Sequence, residues 1–171
     1  MFRNKPKSLV ILGVLTIINT SLAILSGLTS LISGPPSAEQ IKKENLEMAK
    51  TIVDFRQLDP PPEVMELIEK IQQISTAVND NFLFFTGIST LFSMIGFASV
   101  ILMLRKEIYG FHAYIVYSIL SSISIYFILS PSEVPTPLIV VNLLFSGLFI
   151  YLYSRNLKWI KDETEPTNHF E

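Results

Sequence analysis

Residues 82–129 read FLFFTGISTLFSMIGFASVILML (82–104), RKE (105–107) and IYGFHAYIVYSILSSISIYFIL (108–129). Two runs without a single charge flank a turn of three charged residues. Crossing about 30 Å of hydrocarbon takes about 20 apolar helical residues, and each run meets that length. The stretch therefore reads as two membrane spans joined by a very short charged turn.

Outward from this pair, two more intervals lack Asp, Glu, Lys and Arg: Ser8 to Ala38 and Val134 to Ser154. A chain of 171 residues would ordinarily suggest one soluble domain, but 49% of the residues are hydrophobic and the 16% that are charged lie in a few blocks. The expected fold is all-α: an up-down bundle of four transmembrane helices at about residues 9–32, 82–104, 109–129 and 138–153. The whole chain, residues 1–171, then forms a single membrane domain. The first run has the basic start of a signal peptide, yet it is about twice the usual apolar length of about 7–15 residues and is expected to stay as a span.

Between the first two spans, residues 37–80 are too charged to be embedded. They read as an extracytoplasmic hairpin of two amphipathic helices. Ser37 followed by Gln40 is a capping-box pattern, and Ile41, Met48, Ile52 and Phe55 fall on one helical face. Pro60-Pro61-Pro62 breaks this helix. Leu67, Ile71, Ile74 and Val78 form the matching face of the next, which should run on into span two with little break at Asn79-Asp80-Asn81. Ahead of span four, Thr136 is the expected helix cap and Pro137 a first-turn residue.

Orientation follows from Lys and Arg in the short flanks. The N-terminal segment has Arg3, Lys5 and Lys7, the turn has Arg105 and Lys106, and the segment after span four has Arg155, Lys158 and Lys161. The loop between spans three and four has none. Both termini are therefore expected in the cytoplasm, with residues 155–171 as a cytoplasmic tail ending in a solvated acidic run from Asp162.

Helices in lipid associate through small residues and hydrogen bonds, because lipid tails remove the hydrophobic drive. Span one carries Gly13, Thr16, Thr20, Ala23, Gly27, Ser30 and Gly34 at alternating steps of three and four. Span two carries Thr86, Ser89, Ser93 and Gly96, and span three Gly110, Ala113, Tyr117, Ser121 and Ser124; these are the expected seams. Phe82, Phe84 and Phe85 at one interface, and Tyr109, Phe111, Tyr151, Tyr153 and Trp159 at the other, match aromatic belts.

The chemistry-bearing residues are few. No acid or base lies inside a span, against an ion-coupled path within one chain. His112 sits at an interface and His169 is 57 residues away, so the two offer no ligand spacing. Glu63, Glu66 and Glu69 read as the wet side of an amphipathic helix or a weak cation site. The absence of cysteine excludes disulfides, Cys-based metal sites and palmitoylation. No phosphate loop, dinucleotide fingerprint, nucleophile elbow or zinc motif occurs, so neither enzyme chemistry nor a cofactor is expected. No basic patch suits nucleic acid. Asn19 and Asn142 are the most polar groups within the spans, and each calls for a hydrogen-bond partner worth about 0.6–2 kcal/mol. With Tyr117 and Tyr126 they are the candidate intramembrane polar contacts.

Two segments, Lys5-Pro-Lys-Ser-Leu-Val-Ile-Leu-Gly-Val-Leu-Thr16 and Leu104-Arg-Lys-Glu-Ile-Tyr-Gly-Phe-His-Ala-Tyr114, resemble those of small, uncharacterised four-span bacterial membrane proteins of the Bacteroidota type. The resemblance implies the topology and a bacterial inner membrane, and it brings no activity with it. The expected role is a non-enzymatic interaction or accessory subunit of the cell envelope, touching lipid and either a protein partner or further copies of itself. Leu46, Val53 and Val64 are the candidate partner surface. The competing expectation is an oligomeric channel, or a carrier for a neutral or lipid-like molecule.

Overall fold

A computed structural model describes residues 5–161, which hold helices and loops and no strand. Expectations that fall on Arg3, the acidic run from Asp162 and His169 lie outside the described residues. In chain order the helices are α1 (Lys7–Ser33), α2 (Ala38–Arg56), α3 (Pro62–Asp80), α4 (Phe82–Leu104), α5 (Ile108–Ile123, followed by a 3-10 turn over Ser124–Phe127), α6 (Thr136–Ser154) and α7 (Leu157–Lys161). Four of these are long and apolar enough to cross a membrane: α1, α4, α5 with its 3-10 turn, and α6.

The punctuation explains the boundaries. α1 stops at Gly34, whose φ of 79° continues no helix and precedes two prolines. Ser37 and Gln40 form the capping box at the start of α2. Pro62 opens α3, and Asn81 alone separates α3 from α4, with the Phe85 N–H still donating to the Asn81 carbonyl at 2.9 Å. α4 ends in a Schellman turn: the Glu107 N–H donates to Leu102 O at 3.0 Å and the Lys106 N–H to Met103 O at 3.1 Å. Lys106 holds the left-handed position at φ 65°. Thr136 is the first residue of α6 rather than its cap, because Pro135 takes the capping position and no side chain caps this end.

Span three departs from a continuous α-helix. Regular geometry ends at Ile123, where Ser122 and Ser124 turn their hydroxyls back onto the carbonyls of Ser118 and Ser121 at 2.7 and 2.9 Å. Such back-bonding competes with the helical ladder, and β-branched Ile123 and Ile125 add χ1 cost. The connection to α6 is held by Glu133, whose carboxylate accepts from the Ser130 N–H at 2.7 Å and its hydroxyl at 2.6 Å.

α4 is the central helix, packed against α1 and α5. A Cβ on Gly13 would lie 3.3 Å from Val100, and one on Gly27 would meet the Thr90 hydroxyl, so residue numbers rise along α1 as they fall along α4. The α4–α5 approach is closer still: a Cβ on Gly110 would lie 2.5 Å from Met103 N and 2.6 Å from Ser99 O. Only glycine lets the two backbones meet there. On the other turns of this seam, Gly96 sits under the Tyr117 ring.

The faces differ from the expected seams in two helices. On α1 Ala23 is exposed, and the buried residues are Leu9, Leu12, Gly13, Thr16 and Thr20. On α5 the buried line is Gly110, Phe111, Tyr114, Ser118 and Ser122, which leaves Ser121 exposed. On α5 the close contact of Gly110 with the α4 backbone goes with Phe111 and Tyr114 of the adjoining face lying in the core. Phe111 and Tyr153 are core residues rather than belt anchors, whereas Tyr109 and Tyr151 are exposed as a belt requires.

The hydrophobic core comprises Leu9, Leu12, Val100, Met103, Phe111, Tyr114, Tyr153 and Ile160, gathered toward one end of the bundle. Ile160 belongs to α7, so the start of the expected tail is folded against the helices. Around this core the three basic segments converge. The Lys5 ammonium donates to Leu104 O at 2.6 Å, Ser8 donates to Asn156 at 2.9 Å, and the Lys106 ammonium lies 4.9 Å from the centre of the Trp159 ring.

Candidate functional site

Hydroxyls on a membrane helix can satisfy themselves. Thr20, Thr90, Ser93, Ser99 and Ser122 each donate to a carbonyl three or four residues earlier on their own helix. Carboxamides have more donors and acceptors than one such bond can use. Asn19 on α1 and Asn142 on α6 make no side-chain hydrogen bond with any described residue, and both are exposed.

These two amides flank one cleft of about 450 Å³. Thr16, Tyr114 and Ser118 form its buried floor, Tyr117 and Ser146 are half-buried in its wall, and Leu15, Asn19, Asn142 and Phe145 stand exposed at its rim. Asn19 lies twelve residues after Lys7, and Asn142 twelve residues before Ser154. At 1.5 Å per residue both are about 18 Å along their helices from the basic end. The cleft is thus level with the middle of the apolar helices.

Two hydrogen bonds set its shape. Thr16 and the Tyr153 hydroxyl meet at 2.9 Å and tie α1 to α6 on the basic side. Ser122 and Ser146 meet at 2.8 Å and tie α5 to α6. The Tyr153 ring also packs tilted against that of Tyr114, with centroids 4.6 Å apart, which fixes the floor. The lining carries hydroxyls, carboxamides and aromatic rings but no formal charge.

Three of the four candidate polar contacts, Asn19, Asn142 and Tyr117, therefore share one site. Tyr126 does not, because it lies in the 3-10 turn more than two helical turns further along. Sequence reasoning on single polar residues missed Ser146 and Phe149. They share a face with Asn142 at steps of four and seven, a spacing that was available in the sequence.

The candidate partner surface is divided. Leu46 and Val53 are exposed on α2, while Val64 is half-buried in a groove it shares with Leu67, Pro135 and Pro137. Glu69 pairs with Arg56 at 3.2 Å and Glu66 with Lys70 at 2.9 Å. The hydrogen bond and charge of Lys70 hold the Glu66 carboxyl below the usual range, and the Ser130 hydroxyl and N–H do the same for Glu133. No group of three His, Asp or Glu side chains among the described residues is placed to hold a metal ion.

No protein family, curated protein or solved structure matches the chain.

Proposed function

We propose that the chain is a non-enzymatic accessory subunit of the cell envelope that acts by binding other membrane components. In this reading the four apolar helices form an up-down bundle in a bacterial inner membrane. Both termini are cytoplasmic, and α2 and α3 form an extracytoplasmic hairpin. The convergence of Lys5, Lys106 and the segment after α6 at one end supports that orientation, since short basic flanks stay on the cytoplasmic side.

The observation that carries the binding role is the state of α6. Only Tyr153 of its 19 residues is buried, while Leu138, Val141, Leu144, Phe145 and Leu148 are exposed. Helix association in lipid relies on close packing. A span held so lightly by its own chain has most of its surface available to a partner. Outside the apolar helices, Leu46 at 57% and Val53 at 54% exposure supply the extracytoplasmic contact. We expect L46E and V53E to reduce the size of the complex on native gels while membrane insertion is unchanged. An unchanged complex would remove the α2 surface from the account.

A second reading, a carrier or oligomeric channel for a neutral or lipid-like molecule, is supported by the uncharged cleft between Asn19 and Asn142. Flux in reconstituted vesicles that Asn19→Leu abolishes would favour it over the accessory role.

A further inference from the structure

The cleft between α1 and α6 has a size, a depth and a donor arrangement that together narrow what fits it. Its lining spans residues 15–19 of α1, 114–121 of α5 and 142–149 of α6. At 1.5 Å per residue that is about 10 Å along the bundle. A partner helix would need a seam near the full 30 Å of hydrocarbon. The space therefore suits a ring-sized headgroup rather than a helix.

Depth excludes charge. The two amides lie about 18 Å from the basic end, and an ionised headgroup there would need a counter-charge to offset its desolvation. The lining provides none. A phospholipid would also have to draw its headgroup from the interface to the middle of the membrane. A neutral lipid that already resides among the tails would not.

The two amides come from different helices. Two unpartnered carboxamides, one from α1 and one from α6, line the same cleft, each about 18 Å from the basic end of its helix. Phe145 and Phe149, one helical turn apart on α6, also line the cleft and bring aromatic surface to it. A lipid alcohol has a single polar end and would leave one amide unsatisfied in hydrocarbon. A planar ring with an acceptor at each end satisfies both.

We propose that this cleft binds the headgroup of a neutral tailed lipid with carbonyl oxygens on opposite sides of a planar ring, the chemistry of an isoprenoid quinone. Asn19 and Asn142 donate their amide N–H groups to the two carbonyls, and the tail leaves through the gap between α1 and α6 into the bilayer. The proposal deepens the second reading of the cleft but requires binding alone. Binding without flux would therefore remove the carrier and leave this inference standing.

The test uses the full chain in lipid nanodiscs, titrated with decylubiquinone and followed by the thermal unfolding midpoint. Farnesol, an isoprenoid with one hydroxyl, serves as the single-ended control. The expected result is a saturable rise in the midpoint with decylubiquinone and a much weaker response to farnesol. Asn19→Leu with Asn142→Leu should weaken the quinone response by about tenfold or more, since each lost hydrogen bond contributes about 1 kcal/mol. The unliganded midpoint should not fall, because neither amide bonds to the protein. Asn19→Leu alone, which removes one of the two bonds, should cost a few-fold and preserves the test should the double variant not fold. No saturable response, an equal response to farnesol, or full quinone affinity in these variants would overturn the proposal.

Discussion

α4 and α6 are both uncharged apolar helices, of 23 and 19 residues, and hydropathy alone treats them alike. In the fold they are opposites: 39% of the apolar stretch of α4 is buried inside the protein, against 6% for α6. Apolarity admits a helix to the membrane, but it does not decide how closely the helix packs once there. α4 has Gly96 and Ser99 where neighbours press closest, and Gly110 of α5 meets its backbone directly. α6 has Gly147, whose added Cβ would meet nothing within 4 Å. One helix is fixed by backbone contact and the other by two hydroxyl bonds, one buried tyrosine and the half-buried Phe149, Ile150 and Leu152.

The sharpest way to break this contrast is Gly110→Ala. Its Cβ would lie against backbone atoms at 2.5 and 2.6 Å, and backbone yields far less readily than a side-chain tip. We expect a loss of about 3 kcal/mol or more, at the upper end of overpacking penalties, read from unfolding in bicelles. Gly96→Ala should cost less, about 1–3 kcal/mol, because the Tyr117 ring at 2.8 Å can swing toward the cleft. Tyr153→Phe removes the Thr16 bond that ties α1 to α6. It should cost about 0.6–1.7 kcal/mol, the range measured for interhelical bonds in lipid, and should speed amide exchange in α6 more than in α4. Gly147→Ala should be neutral, or stabilising by up to about 1 kcal/mol from helix propensity alone. A large loss there would mean that α6 packs as tightly as α4.

The smallest expected effect is pH-dependent and lies in the loop that leads into α6. Ser130 holds the Glu133 carboxyl below the ordinary value, so its contribution is present above the unfolded pKa and fades as pH falls through the lower folded one. Acidification into that range should lower the protection of the Ser130 amide relative to its intrinsic exchange rate, and Glu133→Gln should make that protection insensitive to pH. Persistent pH dependence in the variant would assign the effect to another group.

Much of this was legible in the sequence, for identifiable reasons. Charge-free runs set by the bilayer thickness fixed where the four apolar helices lie, and proline, glycine and the Ser37–Gln40 box marked most helix ends. Faces were harder to read. The spacing of small residues favoured Ala23 and Ser121, but both are exposed, and the buried face of α5 is the adjoining line through Tyr114, Ser118 and Ser122. Phe111 and Tyr153 fit an aromatic belt by position, and only the approach of α1, α4 and α7 encloses them. Polarity inside an apolar run pointed to Asn19, Asn142 and Tyr117. Spacing could already set Tyr126 apart, since nine residues from Tyr117 is half a turn round and more than two turns along a regular helix.

The most direct test of the account is native mass spectrometry of the chain extracted mildly from its own membranes. The expected result is a complex with a stoichiometric protein partner that L46E and V53E weaken. The chain recovered alone, with the same mass in wild type and variants, would contradict the accessory role.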